Sequence, residues 1–347
     1  MTEFAPPLRL DLDSAALVSN WRALDALSGA ARAGAAVKAN GYGLGAREVA
    51  TLLRDAGCRD FFVAHWQEAA ELVDIIPAGW ISVLNGLCAA DITPIKALGA
   101  IPVLNTPEQV ALWQQAGGGR CHVMLDSGIN RLGLAPEQAK EALLQDVEID
   151  MLLSHLASAD EDVQQNSVQL AIFADARSRI RANRYSLANS AGIMLGSDFH
   201  FDLTRPGLSL YGGIARPEMA SVIKPVASIF ARLLQVRDLP AGATVGYNAT
   251  HACTQETRVG TISIGYADGY LRAFSAKGAA RAGERFLPVI GRVSMDLVTL
   301  DVTTAPELNE GDWVQIDYDL PTASAQTGLS QYELLTNLGT RFARSWI

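Results

Sequence analysis

The stretch Ala36-Val37-Lys38-Ala39-Asn40-Gly41-Tyr42-Gly43-Leu44-Gly45 decides how the chain is read. A short apolar run ends in a lysine and breaks at once into a glycine-rich turn, the form of a buried strand whose C-terminal end opens a loop. A lysine at such a strand end loses part of its hydration, which lowers its pKa and frees an amine able to attack a carbonyl. Taken alone, it is more often a cation reaching past an apolar stem to water. The glycines do not make a dinucleotide fingerprint. Gly41, Gly43 and Gly45 lack the G-x-G-x-x-G spacing, and no convincing acidic ribose partner follows.

Outward from this segment the pattern repeats. Apolar runs at Ala35–Ala39, Phe61–His65, Ile81–Gly86, Ile101–Asn105, His122–Asp126, Ile149–Leu156, Tyr185–Ser190 and Phe201–Gly207 read as strands. Between them Glu68–Val73, Pro107–Gln115 and Pro136–Leu144 begin with proline or acidic residues, as helix first turns prefer. About eight βα units close a (β/α)8 TIM barrel. A doubly wound open sheet has similar periodicity. The barrel is favoured because Lys38, Asn85, Arg131, His155, Asn189 and Arg205 gather at or just past the C-terminal strand ends, where barrel sites are built.

Beyond about Ile223 the period changes to alternation, in Val226–Leu239, Arg258–Tyr266, Phe286–Val302 and Asp312–Tyr318. Turn clusters at 239–242 and 309–312 separate these stretches. The expected architecture is therefore α/β: a barrel over residues 1–222, then a mostly antiparallel β-domain over 223–347.

The composition narrows the function. Cys58, Cys88, Cys121 and Cys253 are scattered without the paired spacing of zinc or redox motifs, so no metal is expected and the thiols are read as reduced. A net charge of −9 with no Lys/Arg cluster argues against nucleic acid and leaves a small-molecule ligand as the simpler expectation. No segment is long and apolar enough to span a bilayer. The first twenty residues carry Glu3, Asp11 and Asp13 and lack a basic region followed by an apolar core, which points to the cytoplasm rather than secretion.

Several residues near the strand ends have chemistry to offer. Asn189-Ser190-Ala191-Gly192 and Arg205-Pro206-Gly207-Leu208 follow the last two barrel strands, the usual place of a phosphate grip, though each alone reads equally as a turn. His155 is either a satisfied core histidine or part of a polar site. Arg131, in Asp126-Ser127-Gly128-Ile129-Asn130-Arg131-Leu132-Gly133, offers a planar fork for a carboxylate or is a solvated loop cation. Tyr247 and Tyr266 in the β-domain are, on composition alone, ordinary strand aromatics.

Taken together, these segments resemble the alanine racemase family, pyridoxal-phosphate enzymes that pair a (β/α)8 barrel with a C-terminal β-domain. The resemblance is carried by Ala36–Gly45, Asp126–Gly133, Arg205–Gly213, Ile264–Gly269 and Gly291–Asp296, in order and at similar intervals. It implies that Lys38 holds pyridoxal 5'-phosphate as a Schiff base. By the same carry-over Tyr42, Ser190, Gly207 and Leu208 bind its phosphate, with Asn189 alongside, and Arg205 faces the pyridine nitrogen. Arg131 looks like the ligand of the phenolic oxygen and the substrate carboxylate. The resemblance further implies two bases, Lys38 on one face of Cα and Tyr247 on the other, with His155 and Arg205 assisting Tyr247. Tyr247 and the substrate-contacting Met295 would come from the second subunit of a homodimer. Tyr266, which also borders the substrate, Asp160, Arg272 and Arg292 match the access corridor.

Two departures from the family pattern stand out. Met124 occupies a position where many relatives carry a carbamylated lysine that holds Arg131. A C-terminal tyrosine of the family's phosphate site is missing, since only Phe342 and Trp346 are aromatic after Tyr332. The expected activity is interconversion of L- and D-alanine, supplying D-alanine to the bacterial cell wall. Rival readings are a racemase of broader range, an amino-acid decarboxylase on the same scaffold, and a non-catalytic carrier of the cofactor. Decarboxylation usually needs an acid at the ring nitrogen, where the resemblance puts Arg205, and a carrier has no use for a second base.

Overall fold

The computed structural model describes residues 5–347, so residues 1–4, including Glu3, lie outside the described residues. The chain divides into two compact units: Ala16–Lys224, and a second made of Pro225–Ile347 with the N-terminal segment up to Ala15.

In the first unit, seven parallel strands run in sequence order: Ala35–Ala36, Phe61–Val63, Ile81–Val83, Ile101–Leu104, Arg120–Met124, Glu148–Leu153 and Arg184–Ser186. The ring closes through an eighth strand, Leu203–Thr204, which pairs in parallel with Arg32–Ala33 just before the first. Gly34 N–H donates to the Thr204 carbonyl at 2.9 Å and Ala36 N–H to that of Pro206 at 2.9 Å. On the other side Asp202 N–H reaches the Tyr185 carbonyl at 3.0 Å and Arg205 N–H that of Ala188 at 2.8 Å. Parallel strands buried on both faces read as continuous apolar runs. Phe61, Phe62, Val103, Val123, Leu152 and Leu153 are all buried accordingly.

All eight expected strands are present, but most are shorter than the apolar runs. The runs extend past the ladders because their last residues turn out of the sheet to form the loops above it. At the first strand the ladder stops at Ala36, and Lys38–Tyr42 follow as a tight turn. The helix expected over Pro136–Leu144 forms only over Glu141–Leu144; Pro136 and the residues after it are turn. Pro107–Gln115 is helical throughout, capped by the Thr106 side chain. The helix expected over Glu68–Val73 lies at Trp66–Ala70.

The second unit is a largely antiparallel sheet of eight strands. Their order is Thr257–Ile262, Val298–Asp301, Arg285–Ile290, Ala279–Ala282, Trp313–Ile316, Ala227–Leu239, Leu8–Leu12 and Ala343–Trp346. The long Ala227–Leu239 strand also pairs with Thr257–Ile262, which curls the sheet on itself. Two details differ from expectation. The stretch Phe286–Val302 is two strands, parted at Gly291 (φ +71°). The N-terminal residues do not belong to the barrel: Leu8–Leu12 pairs antiparallel with Ala227–Ala231 and parallel with Ala343–Trp346. The alternating burial of Leu8–Leu12 marks a strand with one face in a core, and its partners lie more than two hundred residues away.

Candidate functional site

At the C-terminal end of the first barrel strand, the backbone turns the wrong way for L-residues. Ala39, Asn40, Gly41 and Tyr42 all have positive φ, between 52° and 60°. A left-handed turn costs about 1–2 kcal/mol per non-glycine residue, so it persists only where its surroundings fix it. Glu68 supplies one anchor: its carboxylate accepts from Ala39 N–H at 2.6 Å and from the Ala64 and His65 N–H groups at 2.7 and 3.1 Å. Asn40 supplies another, its side-chain oxygen accepting from Ala46 N–H at 2.9 Å.

The turn begins with Lys38, half-buried above the barrel. Burial, and then the charge of Arg131, push its amine below the usual lysine range, while Glu68 pulls weakly the other way. His155, just past the sixth strand, is enclosed by three cations. Loss of hydration, followed by Arg205, Arg131 and Lys38, pushes its imidazole down to about 3, so it is neutral near pH 7. Arg205 is buried, and burial brings it down to about 10, which leaves it charged at neutral pH. Its guanidinium donates to Ser186 Oγ and to the Ser154 carbonyl and lies 5.9 Å above the Phe62 ring. Among the described residues no hydrogen bond links Arg205 to the His155 ring.

Arg131 is exposed on a loop of defined shape. Asp126 Oδ1 accepts from Gly128 N–H at 2.9 Å and from Asn130 N–H at 3.1 Å. Gly133 has φ +127°, and a Cβ there would stand 2.6 Å from Asp126 N. Met124, buried at the end of the fifth strand, packs beneath this glycine, its Cγ 3.0 Å from the same point.

Two polar turns follow the last two strands. Ser190 Oγ accepts from Gly207 N–H at 2.9 Å and Ser209 N–H at 3.3 Å, and Asn189 Oδ1 accepts from Gly192 N–H at 2.9 Å. A Cβ on residue 207 would lie 2.2 Å from Tyr42 Oη, so the phenol covers that glycine closely. Tyr42 is held in turn by stacking on Tyr211 at 4.7 Å, and Tyr211 donates to the Ala36 carbonyl at 2.8 Å. Leu208, buried, starts the short turn after Gly207. The barrel thus brings together Lys38, Arg131, His155 and Arg205 by charge, and Tyr42, Ser190 and Gly207 by contact. Asp160 is exposed on the loop after His155.

The remaining expected residues lie in the second unit. Tyr247 is 67% exposed and Met295 53% exposed. Tyr266 and Met295 sit on adjacent loops: Tyr266 N–H donates to the Ser294 carbonyl and Ala267 N–H to that of Met295, each at 3.0 Å. Arg272 stacks over the Tyr266 ring at 5.2 Å. Arg292 is exposed, its N–H 3.4 Å from a Cβ built on Gly246, next to Tyr247.

One ion pair that sequence reasoning missed ties these loops. Buried Asp268 receives Arg341 in a fork, Nε at 2.6 Å and Nη2 at 2.8 Å, and Arg341 Nη1 reaches Asp296 at 2.7 Å. Glu68, Gln165 and Gln169 were also missed. For the two glutamines the available signal was their spacing of four, which puts them on one face of the Gln164–Arg179 helix.

A closed parallel barrel with a lysine at the end of its first strand, followed in the chain by an antiparallel β-unit, is a narrow structural class. Family models described as the alanine racemase N-terminal and C-terminal domains match residues 12–215 and 226–346. The chain is 41% identical to a catabolic alanine racemase of Agrobacterium fabrum, over 97% of this chain and 92% of that one. It is 40% identical to an alanine racemase of Acidiphilium cryptum, over 96% and 97%. Among solved structures, the alanine racemase of Bartonella henselae with covalently bound pyridoxal phosphate superposes with a TM-score of 0.93 at 35% identity, covering 99% of this chain and 100% of that one. The biosynthetic alanine racemase of Pseudomonas aeruginosa gives 0.91 at 33%, with coverage of 99% and 100%. The chain belongs to the alanine racemase family.

Proposed function

We propose that the protein interconverts L- and D-alanine with pyridoxal phosphate bound at Lys38. The observation that carries this is Lys38 itself: an amine softened by burial and by Arg131, at the mouth of a barrel, beside a cradle of Tyr42, Ser190 and Gly207. The residues fit the cofactor. The cradle offers a phenol, a hydroxyl and main-chain groups close enough to a bare glycine to suit a phosphate, and Arg205 supplies a fixed cation among strand ends. The relatives from Agrobacterium fabrum and Acidiphilium cryptum and the solved structures from Bartonella henselae and Pseudomonas aeruginosa carry the same activity in their names.

When bound, pyridoxal phosphate supplies the electron sink that makes the substrate Cα–H acidic. The chain does the rest. Arg131 holds the substrate carboxylate in its planar fork. Lys38 Nζ takes or returns a proton on one face of Cα, and Tyr247 Oη of the partner subunit does so on the other. His155 and Arg205 assist that tyrosine: the first stays neutral and the second stays cationic near pH 7. The exposure of Tyr247 and Met295 supports a homodimer in which each unit of one chain completes the other's site. Tyr266 lines the substrate side, with Asp160, Arg272 and Arg292 forming the access corridor. Four unpaired cysteines fit a reducing cytoplasm, with the D-alanine used for cell wall.

The test is chiral analysis of product from each alanine enantiomer, alongside a panel of other amino acids. Conversion of both enantiomers to the racemate, lost in Lys38→Ala, is the expected result. Equal rates across bulky amino acids would favour a racemase of broader range, and no conversion of any would overturn the proposal.

A further inference from the structure

Helices around a barrel normally present an apolar stripe inward. The Gln164–Arg179 helix instead buries Asn166 and Gln169 together with Phe173 and Ala176. Gln169 is 1% exposed, and its amide is used at both ends. Nε2 donates to Ser127 Oγ at 3.1 Å and to the His155 carbonyl at 3.0 Å, while Oε1 accepts from Ala157 N–H at 2.9 Å. Gln165, one turn earlier on the same face, accepts from Ser158 Oγ at 2.9 Å and donates to the Gly128 carbonyl at 3.4 Å.

These bonds join two loops. Ser127 and Gly128 belong to the loop that carries Arg131; His155, Ala157 and Ser158 belong to the loop after the sixth strand. Burying an amide is costly unless every polar atom is paired, so apolar packing is the cheaper choice at this position for stability alone. What the glutamines give in return is geometry. Within the Arg131 loop Asp126 ties Gly128 to Asn130, and the chain passes close by Asp126 again at Gly133, so holding Ser127 holds Arg131.

We infer that Gln169, with Gln165 beside it, is a positioning residue that sets Arg131 against His155 and Lys38 and thereby fixes how the substrate carboxylate is received. The inference rests on the reading of Arg131 as the carboxylate ligand. A guanidinium grips a carboxylate with two parallel bonds over a narrow range of angles. A loosened loop therefore weakens substrate binding before it slows proton transfer at Lys38.

The holoenzyme tests this through Gln169→Met, which keeps the volume and removes the hydrogen bonds, and through Gln165→Met at an exposed position. Gln169→Met raises KM for L-alanine about tenfold with kcat within about threefold, and Gln165→Met raises KM about threefold. Both effects vanish in an Arg131→Lys background, because residues that act through one another are not additive. If the KM effect of Gln169→Met persists undiminished beside Arg131→Lys, the glutamine acts elsewhere and the inference falls while the reading of Arg131 stands. If Arg131→Lys alone leaves KM unchanged, the reading of Arg131 fails and takes the inference with it. Should Gln169→Met not fold, Gln165→Met decides alone, and a wild-type KM there overturns the inference.

Discussion

The hydroxyl of Tyr42 lies so close over Gly207 that a Cβ built on that glycine would stand 2.2 Å from it. The close contact with the phenol is the restriction a side chain at this position meets first. Gly207→Ala must displace the phenol, and the Tyr211 stack resists the movement. Equilibrium titration with pyridoxal phosphate is expected to give at least about tenfold weaker binding, about 1.4 kcal/mol. Adding Tyr42→Phe should recover at most part of the loss, because Cζ also stands 2.9 Å from that Cβ and the phenol offered to the phosphate is gone. Wild-type affinity in Gly207→Ala would contradict the cradle.

The fork between Arg341 and buried Asp268 holds the loops bearing Tyr266 and Met295. Arg341→Ala leaves a buried carboxylate short of donors, a loss of about 1–3 kcal/mol, kept at that level because the arginine is half-exposed. Chemical denaturation should register this loss, and steady-state kinetics should show KM raised more than kcat is lowered. Unchanged stability and KM would mean that the pair is an idle surface contact.

His122 is fully buried far down the fifth strand, with Nε2 3.0 Å from Ser82 Oγ and Nδ1 3.8 Å from Asp150, whose carboxylate also receives Arg120 and Arg184. Burial pushes the imidazole well below its ordinary 6.5. Between its depressed folded value and the ordinary unfolded one, the unfolded chain binds the extra proton, so stability is lost as pH falls below about 6.5. The slope from this group is at most about 1.4 kcal/mol per pH unit. Urea midpoints should therefore fall more steeply between about pH 6.5 and about pH 5 in the wild type than in His122→Gln. Parallel curves for the two would show that His122 is not the group responsible.

The barrel was legible because each strand is an apolar run that ends in a polar residue, and Lys38, His155 and Arg205 lie where that pattern puts them. Strand ends were less legible: Lys38 reads as strand yet opens a left-handed turn, an outcome fixed by Glu68 from the helix after the next strand and not by local preference. The strand Leu8–Leu12 falls inside residues 1–222, expected to be barrel, and is not legible as part of the other unit because its partners at Ala227–Ala231 and Ala343–Trp346 are remote in sequence. Gln169 and Arg341 stayed hidden for a related reason. Each works through partners on other segments, and no local pattern records that.

A shared site has a signature in mixed dimers. If, as proposed, each site joins Lys38 of one subunit to Tyr247 of its partner, Lys38→Ala and Tyr247→Phe homodimers each lack one base at every site and should be almost inactive. Exchange of subunits makes heterodimers with one doubly defective and one intact site, restoring up to about a quarter of wild-type activity for random pairing. Mixtures that demonstrably exchange and stay inactive would rule out a site built from two chains.

The attachment residue is the centre of the account, and reductive trapping reads it directly. Borohydride treatment of the yellow holoenzyme, followed by proteolysis and mass mapping, should place the pyridoxyl label on the peptide containing Lys38, with none recovered from Lys38→Ala. A label on Lys96, Lys140, Lys224 or Lys277 would contradict it.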